Sequence, residues 1–317
     1  MRRRQPLDLV RSSRHIARCA AFATSPGQRL DLPIRAEGLS EVTIANGRLQ
    51  LSPDYDLLAL LCERWLAQPS DTGWMRPTFY QLASALYGVN GPPGGEHYRI
   101  IRDSLDRLAW LSISLWGFNA ATGEADRAFV TQDHLLSLAR EIDEPHGLSR
   151  PYVRLAEWLR SAIDHGAVIR LDWRTLRSFD RQQLLAKRLW IYLQAEIWKP
   201  QVGDLEATWL RTGDRLCAAL GMTYGRPRDA RRALGRAGEA ILSVDPRYRS
   251  VEVHRRGRST YHLVAKRLQP EAWHRTKDER RQAREAIRTS LGTSGRPNRG
   301  GHGHSDAEGR AQKQFPV

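Results

Sequence analysis

Twice along this chain, segments with apolar residues at every third or fourth position lead into paired segments in which apolar residues alternate. The first spacing lines one face of an α-helix, and the second lines one face of a strand. In the first half, strand-like pieces around Leu30–Ile34 and Val42–Ile44 come first. Leu57, Leu61 and Trp65 then share a helix face, with Ser52 as the predicted N-cap and Pro53 at the first helical position. Thr78-Phe79-Tyr80-Gln81 is a capping-box pattern opening a second, short helix that Gly88 ends. After GVNGPPGG comes a third helix, with Tyr98, Ile101, Leu105 and Leu108 at spacings of 3, 4 and 3. It runs into the alternating strand LSISLW; GFNAATGEADR turns the chain and AFV returns it.

The second half repeats the order. Leu185, Leu189, Tyr192, Leu193 and Ile197 make one helix face, stopped by Pro200 and Gly203. Thr212-Gly213-Asp214 predicts the cap of a short helix through Leu220, and MTYGRP is a turn. Pro227 begins a third helix, and YRSVEVHRRGRSTYHLVAKR reads as two strands around Arg255–Arg258. Residues 152–179 read as a connector packed on both halves: an amphipathic helix with Leu155, Trp158, Leu159 and Ile163, then Gly166 and the strand VIRLDW.

Three helices followed by a hairpin is the winged-helix order. The expected fold class is therefore α+β, mainly helical: two tandem winged-helix domains with flexible basic termini. The boundaries read as 1–27 flexible basic arm, 28–151 first domain, 152–179 connector, 180–268 second domain, and 269–317 charged, largely disordered tail. The start MRRRQPLDLVRSSRHIARCAAFATS has the Arg- and Ser-rich look of a transit peptide but reads better as a loose basic arm.

The formal net charge is +15 and the pI about 10.4, a balance that points to a polyanionic partner. The charge concentrates on the helix from Pro227. At about 100° per residue, Ala230, Leu234, Ala237 and Ile241 cluster on one side. Arg228, Arg231, Arg232 and Arg236 fall opposite, with Arg226 just before the helix. A helix fits the major groove of B-DNA, where an arginine fork can pair with guanine. The hairpin adds Arg255, Arg256 and Arg258 for phosphates or a minor groove. From Arg226 through Arg267 there are 12 basic and 4 acidic residues, an excess of 8. The 180–268 segment is thus the main expected DNA reader. In the first half Arg99 and Arg102 are diluted by Asp103 and Asp106. That face is equally a DNA-backbone contact, an ordinary surface or a dimer contact.

Other chemistries find little support. Cys19, Cys62 and Cys217 are scattered without metal-ligand spacing and read as reduced thiols of a cytoplasmic protein. No apolar run reaches the ~18 residues of a membrane span. There is no Gly-Lys dipeptide and hence no Walker A loop. The only His-x-His, His302-Gly303-His304, sits in a Gly-rich tail unsuited to holding a metal. Asp54 and Asp56 read as helix N-terminal acids rather than a catalytic pair. The expectation is no catalytic residue, no metal and no cofactor.

The segments DYDLLALLCERW, TFYQLASALYG, GEHYRIIRDSLDRLAWLSISL and LLAKRLWIYLQAEI, in this order, resemble the tandem winged-helix replication initiators of theta-replicating plasmids, the RepA/TrfA type. The resemblance covers roughly residues 28–268 and is one of pattern and order. It implies binding to repeated origin sites, opening of AT-rich DNA, a part in plasmid copy control, and recruitment of host helicase and initiator proteins. It also implies homodimerisation through the first domain. Arg228, Arg231 and Arg232 would face the groove, with Arg255, Arg256 and Arg258 as the wing. The basic C-terminal tail and the Gly/Pro loop at 91–95 depart from the pattern. A winged-helix transcriptional regulator is the alternative, and a metal-dependent nickase a third.

Overall fold

Strand β1 (Leu9–Ser13) and helix α1 (Arg14–Arg18) come first, followed by β2 (Phe22–Ala23), β3 (Glu41–Ala45) and β4 (Leu49–Gln50). A π-helical turn over Leu51–Tyr55 enters α2 (Asp56–Ala67). Then come β5 (Trp74–Met75), α3 (Phe79–Tyr87), α4 (Gly95–Trp110) and the hairpin β6 (Ser112–Asn119) and β7 (Glu124–His134). The middle holds β8 (Leu136–Glu141), β9 (Arg150–Leu155), α5 (Glu157–Asp164), β10 (Val168–Asp172) and α6 (Trp173–Ser178). Last are α7 (Leu184–Glu196), β11 (Glu206–Thr212), α8 (Gly213–Leu220), α9 (Pro227–Val244), β12 (Tyr248–Arg255) and β13 (Tyr261–Leu268). This computed structural model describes residues 9–18, 22–23, 41–45, 49–88, 92–119, 124–141, 150–197, 206–222, 224, 226–257 and 260–268. The expected strand at Leu30–Ile34 and the tail 269–317 lie outside them.

The chain mixes helix and strand, and each half carries three helices ahead of an antiparallel hairpin. In the first, α2, α3 and α4 precede β6 and β7, with β3 added to β6. In the second, α7, α8 and α9 precede β12 and β13, and β11 pairs with β13 to give the order β11-β13-β12. The capping box forms as the residue pattern predicts. Gln81 N donates to Thr78 Oγ1 and Thr78 N to Gln81 Oε1, both at 3.1 Å. Both halves belong to one compact unit, Met1–Gln269. Helix α7 is buried along nearly all its length, Lys187 and Arg188 included. Lys187 Nζ bonds Asp56 Oδ2 at 2.7 Å, tying α7 to the start of α2.

Three expectations need correction, and two strand features were not expected. The supposed arm is structured over residues 9–18 and 22–23. Strand β1 pairs with β10, and Val10, Ile16, Ala17 and Phe22 are buried. Its arginines are not simply solvated. Arg11 bonds Glu63 on α2, Arg18 pairs with Glu196 on α7 at 2.5 Å, and Arg188 Nη1 donates to Ala17 O at 2.6 Å. A few apolar side chains spaced among arginines were enough to anchor the segment. Leu155 belongs to strand β9, where Pro151, Val153 and Leu155 alternate inward, and the helix begins only at Glu157. Ser52 is extended (φ −133°, ψ 123°) and its hydroxyl donates to Asp56 Oδ2 instead of capping. Asp54 takes the capping role by accepting from Gln50 N at 2.8 Å. Asp54 is also fully buried beneath Ser104 and Arg107, whose Oγ and Nη2 each donate to it at 2.7 Å. Finally, the strand β11 and the sheet β5-β9-β8 were not anticipated. Exposure alternates along β11 over Thr208–Thr212, and its Trp209 ring meets Tyr192 edge-on at 5.9 Å.

Candidate nucleic-acid interface

Helix α9 starts at Pro227, whose missing N–H lies where a helix has no partner for it, and Asp229 in its first turn complements the helix dipole. Its inner stripe is Ala230, Ala233, Leu234, Ala237, Gly238 and Ile241, all buried. Four of the six are alanine or glycine, so the helix lies close on its neighbours. A Cβ at Gly238 would stand 2.4 Å from the backbone oxygen of Val251, so only glycine lets α9 sit this near β12. At the other end Asp245 is an anchor. Its carboxylate accepts from Trp190 Nε1 on α7 at 2.8 Å and from Arg247 Nε and Nη2, both at 2.7 Å. Burial opposes its ionisation, but the bonds from Arg247 and Trp190 outweigh burial and hold the carboxyl below the usual range.

The outer face is basic. Arg226, Arg228, Arg232 and Arg236 are exposed and Arg231 is half-buried. Among the described residues none of the five has an ion-pair partner. Asp229 and Glu239 are also exposed on this helix, so the face is predominantly rather than uniformly positive. Helix α8, immediately before it, adds exposed Arg215, and Tyr224 stands 43 % exposed between the two helices. Neither was singled out from sequence. Both fall where no periodicity marks them, and only the fold shows them exposed beside α9.

The β12–β13 hairpin packs against α9 and ends in a basic turn. Arg256 N and Gly257 N donate to Thr260 O at 3.0 and 3.3 Å and close it. Arg255 Nε donates to Gly257 O at 2.7 Å, which holds its side chain over the turn while leaving it exposed. Arg256 is exposed, with Nη1 3.5 Å from His262 Nε2. Arg258 lies outside the described residues. The structure therefore brings the α9 arginines and the hairpin arginines onto directly contacting elements.

Arg99 and Arg102 lie elsewhere, on α4. Arg99 is neutralised along its own helix by Glu96 at 2.6 Å and Asp103 at 3.6 Å. The Arg102 guanidinium sits 5.6 Å from the centre of the Phe79 ring. A third arginine of this helix, Arg107, pairs with Asp54. The two arginine-bearing helices thus differ in kind: the charges of α4 are largely answered within the protein and those of α9 are not.

Among the described residues no helix is long and apolar enough to cross a membrane, and no group of three or more His, Cys, Asp or Glu side chains is placed to hold a metal ion.

No protein-family model matches the chain, and no curated protein matches it. Among solved structures, a crystal structure of RctB domains 2-3 (RctB-155-483) aligns over 83 % of this chain and 99 % of that one, with 16 % identity and a TM-score of 0.41. At that score the likeness carries no argument about this chain.

Proposed function

We propose that the protein is a sequence-specific double-stranded DNA-binding initiator of plasmid replication, built as two tandem winged-helix domains. The observation that carries the DNA reading is the outer face of α9: arginines on a well-anchored helix, unanswered by any acid among the described residues, beside a hairpin with an arginine turn. Such a helix is of a width to enter the major groove, and such a hairpin is positioned to follow phosphates. The second half is the main reader. Homodimerisation through the first half is part of this reading, and the neutralised α4 argues against base reading there.

The replication part rests on the order of the segments across residues 28–268. In this reading the protein binds origin repeats, helps open the adjacent DNA and recruits host helicase and initiator proteins. It acts in the bacterial cytoplasm, without a cofactor and without cutting DNA. Binding to duplex DNA is expected to weaken steeply between about 50 and 200 mM salt as counterions are recaptured. A flat salt titration rules out the DNA reading. Direct repeats beside an AT-rich stretch near the coding region support an origin; a single palindrome at a promoter makes the protein a transcriptional regulator instead. Supercoiled origin DNA with Mg²⁺ or Mn²⁺ is expected to stay unnicked.

A further inference from the structure

A cavity of about 150 Å³ opens where the two halves meet, bounded by Ser52, Asp56, Tyr87, Arg177, Phe179 and Lys187 among others. Its wall is charged. Lys187 is 2 % exposed and its Nζ donates to Asp56 Oδ2 at 2.7 Å; Ser52 Oγ donates to the same oxygen at 2.9 Å. The wall thus sets one carboxylate against two cations: Asp56 bonds Lys187 and Ser52 through Oδ2, and its Oδ1 is buried without a hydrogen-bond partner among the described residues. Arg177 is left in excess. Its guanidinium is half-buried, with Cζ 6.0 Å from the centre of the Trp173 ring. Among the described residues no oxygen accepts a hydrogen bond from it. Burial lowers its pKa, and the more distant charge of Asp56 only partly offsets this.

A guanidinium drawn partly out of water keeps five N–H donors that need acceptors. Its fork matches a carboxylate or phosphate edge with two bonds. At about 30 Å³ per water, the cavity takes about five waters. That is room for a tetrahedral oxyanion but not for a nucleobase as well.

We infer that this cavity is a binding site for a phosphate oxyanion, gripped by the fork of Arg177 with the Lys187 ammonium and the Tyr87 hydroxyl beside it. The phosphate is free inorganic phosphate or a phosphodiester of DNA crossing the mouth. Because Tyr87 and Ser52 come from the first half and Arg177 and Lys187 from beyond it, occupancy ties the two together. The free-phosphate source stands independently of the DNA-binding reading; the phosphodiester source rests on it.

The test uses the full chain and Arg177→Gln in phosphate-free buffer. Melting is followed on adding inorganic phosphate at constant ionic strength, with sulfate in parallel because both salts stabilise proteins generally. The readout is the difference between native protein and variant. A phosphate-dependent rise larger in the native protein by about 2 °C or more identifies the free ion. No such difference, but a loss of about one unit from the salt slope of duplex binding in the variant, identifies a DNA phosphate. If neither changes while the variant melts normally in chloride, the cavity holds only water and the proposal is overturned. Should Arg177→Gln fail to fold, Arg177→Met, unbranched and uncharged, removes both the charge and the fork. Native phosphate response and native salt slope in that variant overturn the proposal equally.

Discussion

Arg232 and Arg256 represent two kinds of contact. Arg232 is exposed in the middle of the basic face of α9, and Arg256 is exposed at the hairpin turn. If Arg232 reads a base edge, Arg232→Ala costs about 1–3 kcal/mol on the cognate site and relaxes preference at one position. If Arg256 meets phosphate, Arg256→Ala weakens cognate and scrambled duplexes alike and lowers the salt slope by about one unit. Titrations of both duplexes across a salt series separate these, and unchanged binding by both variants removes α9 and the hairpin from the interface. Asp245 acts on stability instead. Its carboxyl is held below its ordinary range in the fold, so it stabilises the protein above the unfolded carboxylate pKa. That contribution is lost as pH falls through the lower, folded value. Asp245→Asn is expected to cost about 1–3 kcal/mol near neutral pH. Urea midpoints at neutral pH and below about pH 4 are expected to show the gap between native and variant closing in acid.

At the scale of elements, α9 is held by shape on one side and left open on the other. Gly238 sits mid-helix, where alanine ordinarily stabilises by about 1 kcal/mol. Here the Cβ would fall 2.4 Å from Val251 O, against rigid backbone. The clash dominates, so Gly238→Ala is expected to destabilise by about 1–3 kcal/mol and to lift α9 from the sheet. Chemical denaturation together with duplex binding checks both effects. A stabilised variant with native binding contradicts the close approach. The capping box on α3 offers a simpler comparison: Thr78→Ala leaves Gln81 N without its acceptor and is expected to cost about 1 kcal/mol.

At the scale of the whole molecule, the N-terminal segment holds the halves together. Strand β1 pairs with β10 and touches α2 through Arg11 and Glu63, while α1 reaches α7 through Arg18 and Glu196. Buried Arg188 donates to Ala17 O and Ala219 O, linking α1 to the end of α8. Removing residues 1–23 would uncover the surfaces that Val10, Ile16, Ala17 and Phe22 cover. Truncation is expected to lower the melting temperature and speed proteolysis between the halves. Truncated protein that melts and digests like the full chain would show the segment to be dispensable. The thiols give no competing device among the described residues. Cys62 is wholly buried and its thiol is pushed up to about 12, and Cys217 is free.

Local patterns in the residues determined much of this. The apolar spacing, Pro227, the Thr78–Gln81 box and the alternation after Tyr248 were enough to predict α2, α3, α4, α7, α8, α9 and the β12–β13 hairpin. They also set the apolar and basic faces of α9, because helical geometry turns spacing directly into a face. Pairings between distant segments were not legible. Lys187 with Asp56, Trp190 with Asp245, and β1 with β10 join residues far apart in the chain, and no local spacing encodes them. The N-terminal arginines read as a solvated arm because their partners, Glu63 and Glu196, lie on other elements. For the same reason, only the tertiary structure decided which arginines are answered by acids and which remain open to a partner. An arginine's charge is written in the sequence; whether it is neutralised depends on what the fold places within a few ångströms of it.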